Sequence, residues 1–247
     1  MAVAVVTGAS RGLGRALARA LAAEGWSLVL DARGAEALGE VAAGLATPVV
    51  ALPGDVADPA HRAELIAAAE ELGGVELLVN NAGVLGAEPL VPLAEQSVAG
   101  FRQALEVNVV APLGLVQAAL PLLRASRGAV LNISSDAAVE AYRTWGGYGS
   151  SKAALDHWSA VLAAEEPELR VWWVDPGDMR TAMYAAAVPE DDDSGRPLPE
   201  EAAVPALLGL INGGGGGGAT GSGVGGGGRA ASGRYTVAGQ EAKQWTR

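Results

Sequence analysis

Cysteine is absent from the 247-residue chain, which excludes disulfides and thiolate chemistry and is compatible with the cytoplasmic location expected here. Cations are scarce. Seventeen Lys and Arg against 28 Asp and Glu give a formal net charge of -11, which argues against a nucleic-acid surface, because phosphate binding needs clustered Lys and Arg to release counterions. No run approaches roughly 18 uninterrupted apolar residues, so no membrane span is expected. The apolar start at residues 2–6 is short, has no charged segment before it and breaks at Gly8, so it reads as a buried strand and not as a signal peptide. Histidine is limited to His61 and His157, both in predicted helices without a spacing partner for a metal or a catalytic triad. They are read as core or surface residues, and no metal site is expected.

What is present is a chain that is 50% hydrophobic, enough to bury one large core. Short apolar runs at residues 3–7, 28–30, 49–52, 77–80, 129–133 and 171–174 read as buried parallel strands. Ala- and Leu-rich segments at 14–24, 60–72, 101–123 and 150–165 have helical length. Alternation of the two predicts an α/β fold: a three-layer, doubly wound parallel sheet in a single domain. Pro112 and Pro121 predict a kink or break within 101–123. Residues 185–201, with Glu190, Asp191, Asp192, Asp193 and several prolines, read as a mobile excursion or lid, the acidic run forming a solvated face. The glycine run 213–228 cannot bury apolar surface against its ordering entropy and is predicted to be disordered. In the tail 229–247, residues 234–238 favour a pleated surface and could return as a last edge strand.

The first strand runs straight into Thr7-Gly8-Ala9-Ser10-Arg11-Gly12-Leu13-Gly14, and a helix follows. Glycines there allow a tight turn and close backbone approach to a pyrophosphate, while the helix N-terminus supplies amide donors and a positive dipole. Further along, Tyr148 and Lys152 stand four residues apart at the start of a predicted helix, on one face and one turn apart. A tyrosine can give a proton to a developing alkoxide if its phenolate is stabilised, and a lysine supplies the positive charge. Shifting a phenol towards neutrality needs about 3 pKa units, or roughly 4 kcal/mol.

The T-G-x-x-x-G-x-G spacing, Asp55-Val56 after the third strand, Asn80-Asn81-Ala82-Gly83 after the fourth and Tyr148-x-x-x-Lys152, in that order, resemble the short-chain dehydrogenase/reductase family over residues 1 to about 212. The resemblance implies a Rossmann-like dinucleotide-binding catalytic domain over 1–212 and an oxidoreductase moving a hydride between NADP(H), or NAD(H), and a carbonyl or secondary alcohol. It implies that Gly8, Ser10, Arg11, Gly12, Leu13 and Gly14 hold the cofactor, and that Asp55 and Val56 meet the adenine. Asn81, Ala82 and Gly83 would line the adenosine side. Read alone, Asp55 is equally a helix cap near Ala57, and Asn81-Ala82-Gly83 a simple turn.

Cofactor choice turns on Leu30-Asp31-Ala32-Arg33, where an acidic side chain would bond the ribose 2′-hydroxyl and repel a 2′-phosphate. In the family's count the discriminating position falls on Ala32, with Arg33 next and Arg11 facing it, which favours NADP(H). A register one residue earlier would bring Asp31 there and favour NAD(H). The family's catalytic serine maps to Ser135, thirteen residues before Tyr148, with Ser134 as the competitor; strand alternation lets only one of them face the site. Asn108 resembles the family asparagine that interrupts a helix and relays protons to the lysine. Pro176, Gly177 and Thr181 match the segment that contacts the nicotinamide carboxamide. Family members pair through the helices mapping to 101–123 and 150–165, so a homodimer or homotetramer is expected. The partner is a small molecule. A non-catalytic NADP(H)-sensing regulator is the reading from another class, and an extended-branch epimerase or dehydratase is disfavoured by length.

Overall fold

Val3, Ala4, Val5 and Val6 are each 0% exposed, although successive side chains of a strand face opposite ways. A strand covered on both sides needs a helical layer on each. In the computed structural model, which describes residues 1–213, 230–238 and the backbone of 241–244, the strands are β1 (Val3–Val6), β2 (Ser27–Ala32), β3 (Val49–Pro53), β4 (Leu77–Asn80), β5 (Ala129–Ile133), β6 (Arg170–Asp175), β7 (Gly233–Ala238) and β8 (Glu241–Gln244). They form one sheet in the order β3-β2-β1-β4-β5-β6-β7-β8, parallel throughout except for antiparallel β8. Helices are α1 (Gly12–Ala23), α2 (Ala35–Ala43), α3 (Pro59–Leu72), α4 (Val98–Leu105), α5 (Ala111–Ser126), α6 (Gly146–Glu165), α7 (Ala182–Ala187) and α8 (Ala203–Ile211). This is the expected doubly wound, Rossmann-like architecture.

On one face Leu13, Leu17 and Leu21 of α1 and Leu207 and Leu210 of α8 pack on Ala4, Val6, Leu30, Trp172 and Val174. On the other, Leu65 of α3 and Leu115 and Leu123 of α5 pack on Val3, Val5, Val29 and Val171. Each fully buried Leu is worth roughly 2 kcal/mol of transfer free energy. The chain winds from β1 out to β3, then crosses back to place β4 on β1's other side. A crevice therefore opens at the carboxyl ends of β1 and β4, the switch point where such sheets bind ligands.

Three stretches refine or depart from expectation. The break expected within 101–123 is present, as a π-helical turn at Glu106–Val110, centred on Asn108, that joins α4 to α5. Pro112 has no N–H to give the carbonyl of Asn108 four residues back, so the α ladder cannot continue there; Pro121 is accommodated inside α5. The run 98–126 is, among the described residues, the one helical stretch long and apolar enough to cross a membrane; here it packs against α3 and α6. Second, the stretch read as an excursion carries side-chain bonds of its own. Arg196 pairs with Asp178 (2.7 Å) and Asp191 (2.8 Å), and the Tyr184 hydroxyl donates to Asp191. Third, β7 lies inside the sheet and β8 takes the rim, where an edge strand was read at 234–238. The predicted disorder of 213–228 falls, apart from Gly213, outside the described residues.

Candidate active site

The turn after β1 is built around glycine. Gly8 and Gly12 have φ of 65° and 55°, in the left-handed region that penalises any Cβ. A Cβ on Gly14 would lie 2.4 Å from both the Gly8 carbonyl oxygen and Asn81 Nδ2, so only glycine lets α1 start this close to the loop. Arg11 is the N-cap of α1 and makes no side-chain cap bond, which leaves the first-turn amides directed at an incoming anion. These features fit a pyrophosphate.

Thr7, which the sequence reading left out of the site, clamps β1 to β4. Its Oγ1 donates to Val79 O (3.2 Å) and accepts from the amides of Asn81 and Ala82 (3.0 Å each). Asn81 Nδ2 donates back to Thr7 O (2.8 Å) and Gly8 O (3.2 Å), so its amide steadies the loop. Asp55 accepts from the Ala57 amide at 2.9 Å but is not the helix cap that its position near Ala57 also suggests: the N-cap of α3 is Asp58.

A cavity of about 540 Å³ runs from this loop to α6. Its cofactor-side wall includes Gly8, Ser10, Arg11, Gly12, Leu13, Ala32, Arg33, Asp55, Val56, Asn81, Ala82 and Gly83; the far end has Ser135, Tyr148, Lys152, Pro176, Gly177 and Thr181. Of the sequence-derived candidates, Gly14 and Asn108 stand behind the wall and support it. Ser134 and Ser135 follow the end of β5 and both line the cavity, against the expectation that only one would, but their hydroxyls differ in partner: Ser134 donates to buried Asp156, whereas Ser135 donates to Asp136 (3.1 Å) and accepts from the Ala137 amide (3.2 Å).

Lys152 is buried, donates to Ile133 O at 2.7 Å and lies 5.6 Å from the Tyr148 ring centroid. Burial pulls its pKa down to about 8. Burial, then the charges of Asp175 and Asp136, push the Tyr148 phenol well above its ordinary value. The lowering that acid/base work was expected to show is therefore not supplied by the protein's side chains alone. Asn108, 1% exposed, is held at both ends: its Oδ1 accepts from the Val84 amide and its Nδ2 donates to Val84 O and Ser151 Oγ, all at 2.9 Å. Ser151 donates in turn to Tyr148 O (2.6 Å), so the π turn locks the β4 loop to α6 directly beneath Tyr148.

Other contributors left no local signal. Arg234 on β7 donates to Asp156 (2.9 Å) and to the carbonyl of Ser135 (3.0 Å), bracing the serine from 99 residues away. Trp145 packs edge-on against Tyr148 with centroids 5.8 Å apart. Met183, Tyr184 and Ala187 of α7 cover the cavity, and Thr181 caps that helix, accepting from the Tyr184 amide at 3.3 Å. Asp31 also lines the wall, paired with His61 at 2.7 Å. His61 thus has the core role read for it, with a partner that no helical spacing could reveal.

Comparison with known proteins agrees with this geometry. The family model described as short chain dehydrogenase matches residues 2–192. An uncharacterised oxidoreductase of Saccharomyces cerevisiae is 35% identical over 188 residues, covering 73% of this chain and 72% of its own. Sepiapterin reductase of Meriones unguiculatus is 39% identical over 202 residues, covering 75% and 77%. A short-chain dehydrogenase from Shigella flexneri solved with NADP superposes with a TM-score of 0.73 at 31% identity, covering 81% of this chain and 86% of that one.

Proposed function

The chain belongs to the short-chain dehydrogenase family of oxidoreductases, and from that premise we propose that it transfers a hydride between NADP(H) and a carbonyl or secondary-alcohol substrate, with Tyr148 as general acid and base. The observation that carries this reading is convergence: Tyr148, Lys152 and Ser135 line one end of the cavity whose other end is the Gly8–Gly14 turn. When bound, the nicotinamide supplies or takes the hydride.

The chain's own groups do the rest. Held in its protonated form by burial and by Asp175 and Asp136, the Tyr148 phenol is set to donate to the oxygen that becomes an alkoxide, which favours carbonyl reduction. Ser135 Oγ orients that oxygen. Lys152, charged below about pH 8, places its ammonium beside the phenolate left behind, and Asn108 keeps α6 in register for the proton's return. Ala32, Arg33 and Arg11 support NADP(H) over NAD(H), and the NADP complex of a relative supports the same choice. Asp31, whose exposure would have favoured NAD(H), has one carboxylate oxygen on the Gly8 amide (3.3 Å) and the other on His61. The faces of α5 and α6, with exposed Leu113 and Val161, suit a homodimer or homotetramer.

The test is purified protein with NADPH and a panel of ketones. Turnover should consume the reduced-cofactor absorbance, and Tyr148→Phe should lower the rate by about 10²- to 10⁴-fold with NADPH binding retained. NADPH binding with no turnover on any ketone, unaffected by Tyr148→Phe, would instead identify a sensor.

A further inference from the structure

We propose that His61 determines cofactor preference by masking the carboxylate of Asp31, an inference that rests on the NADP(H) reading above. Asp31 precedes Ala32 and Arg33 at the end of β2 and lines the cavity with them. The next position, Ala32, is where an acidic side chain would select against a 2′-phosphate, and Asp31 is the acid one residue away. Yet Asp31 is only 1% exposed, and both carboxylate oxygens are occupied. Oδ2 accepts from the Gly8 amide at 3.3 Å, and Oδ1 lies 2.7 Å from His61 Nε2.

His61 comes from the first turn of α3, thirty positions away, and is itself 6% exposed. Its ring reaches Asp31 only because residue 54 is glycine: a Cβ there would sit 2.3 Å from His61 Nδ1. Gly54 is itself cavity wall, and its amide donates to Ala32 O at 3.1 Å, so ring, glycine and discriminating residue form one packed unit. The other charged groups facing the pair are Glu64, 3.9 Å from Nδ1 and largely exposed, and Asp55, whose charge opposes ionisation of Asp31.

With the carboxylate held inward by two donors, the cavity edge presents the Ala32 methyl and the Arg33 guanidinium to the ribose. Remove the imidazole and Asp31 becomes a buried acid with an unfilled oxygen beside the ribose site. Turned to the solvated cavity that it lines, where it ionises, it would accept a 2′-hydroxyl and repel a 2′-phosphate. Selectivity in this reading depends on a group that never contacts the cofactor.

The experiment measures dissociation constants of NADPH and NADH by quenching of tryptophan fluorescence, which needs no turnover. His61→Leu is expected to lower the NADPH-to-NADH affinity ratio by about tenfold or more, and adding Asp31→Asn to it to bring the ratio back within about threefold of the parent. His61→Gln, which keeps an N–H for Asp31, should retain most of the ratio. If His61→Leu does not fold, His61→Asn, too short to reach Asp31, should show the same shift. Equal weakening of both cofactors, or an unmoved ratio, would overturn the proposal by reducing His61 to a packing role. A parent protein that prefers NADH would defeat the NADP(H) reading, while the direction of the His61→Leu shift would still decide this one.

Discussion

Lys152 is an expensive residue for the fold, and replacing it with Met should stabilise the protein while abolishing turnover. The residue is 4% exposed, and burial lowers its pKa from 10.5 to about 8. At roughly 1.4 kcal/mol per pKa unit, this corresponds to about 3 kcal/mol against the folded state when the amine is charged. The bond to Ile133 O, 2.7 Å long, returns about 1 kcal/mol. Met has similar length, carries no charge and needs no acceptor, so Lys152→Met should gain about 2 kcal/mol at pH 7. The pH dependence follows from the direction of the shift. Below pH 8 both folded and unfolded chains hold the proton and the penalty is complete. Between about 8 and 10.5 the folded chain sheds its proton while the unfolded chain keeps it, so the native lysine becomes less costly as pH rises. Urea unfolding of both proteins at pH 7 and pH 9.5 measures this: the gap should narrow at the higher pH. A variant less stable than its parent at pH 7, or a gap that does not change with pH, would refute the reasoning.

The rate of ketone reduction should fall as pH rises through about 8, where Lys152 loses the charge beside the phenolate; a steady-state profile with saturating cofactor checks this. Arg33→Ala should weaken NADPH binding by about tenfold or more and NADH binding far less, as titration of both cofactors would show, whereas equal losses would remove the 2′-phosphate assignment. Gly14→Ala drives a methyl to 2.4 Å from the Gly8 carbonyl oxygen. It should cost about 1–3 kcal/mol in thermal unfolding and abolish cofactor binding with it.

Much of the site was legible because its parts are local. Gly8 and Gly14 had to be glycines for a turn between strand and helix, and four-residue spacing put Tyr148 and Lys152 on one helix face. Burial of both faces of β1 follows from an unbroken apolar run. These are consequences of backbone period and steric room, which neighbours along the chain are enough to specify.

Tertiary structure decided the rest, because pairing and ionisation depend on groups that only folding brings together. That Asp31 is paired and almost fully buried was decided by His61, thirty residues downstream. Ser135 owes its bracing to Arg234, beyond the glycine run. The interruption at Asn108 was legible, but its bonds to Val84 and Ser151 were not. Most plainly, the four-residue spacing named the Tyr148 and Lys152 pair but not the direction of their pKa shifts. Those come from the loss of water around buried charge and from Asp175 on another strand, neither of which is written in the spacing.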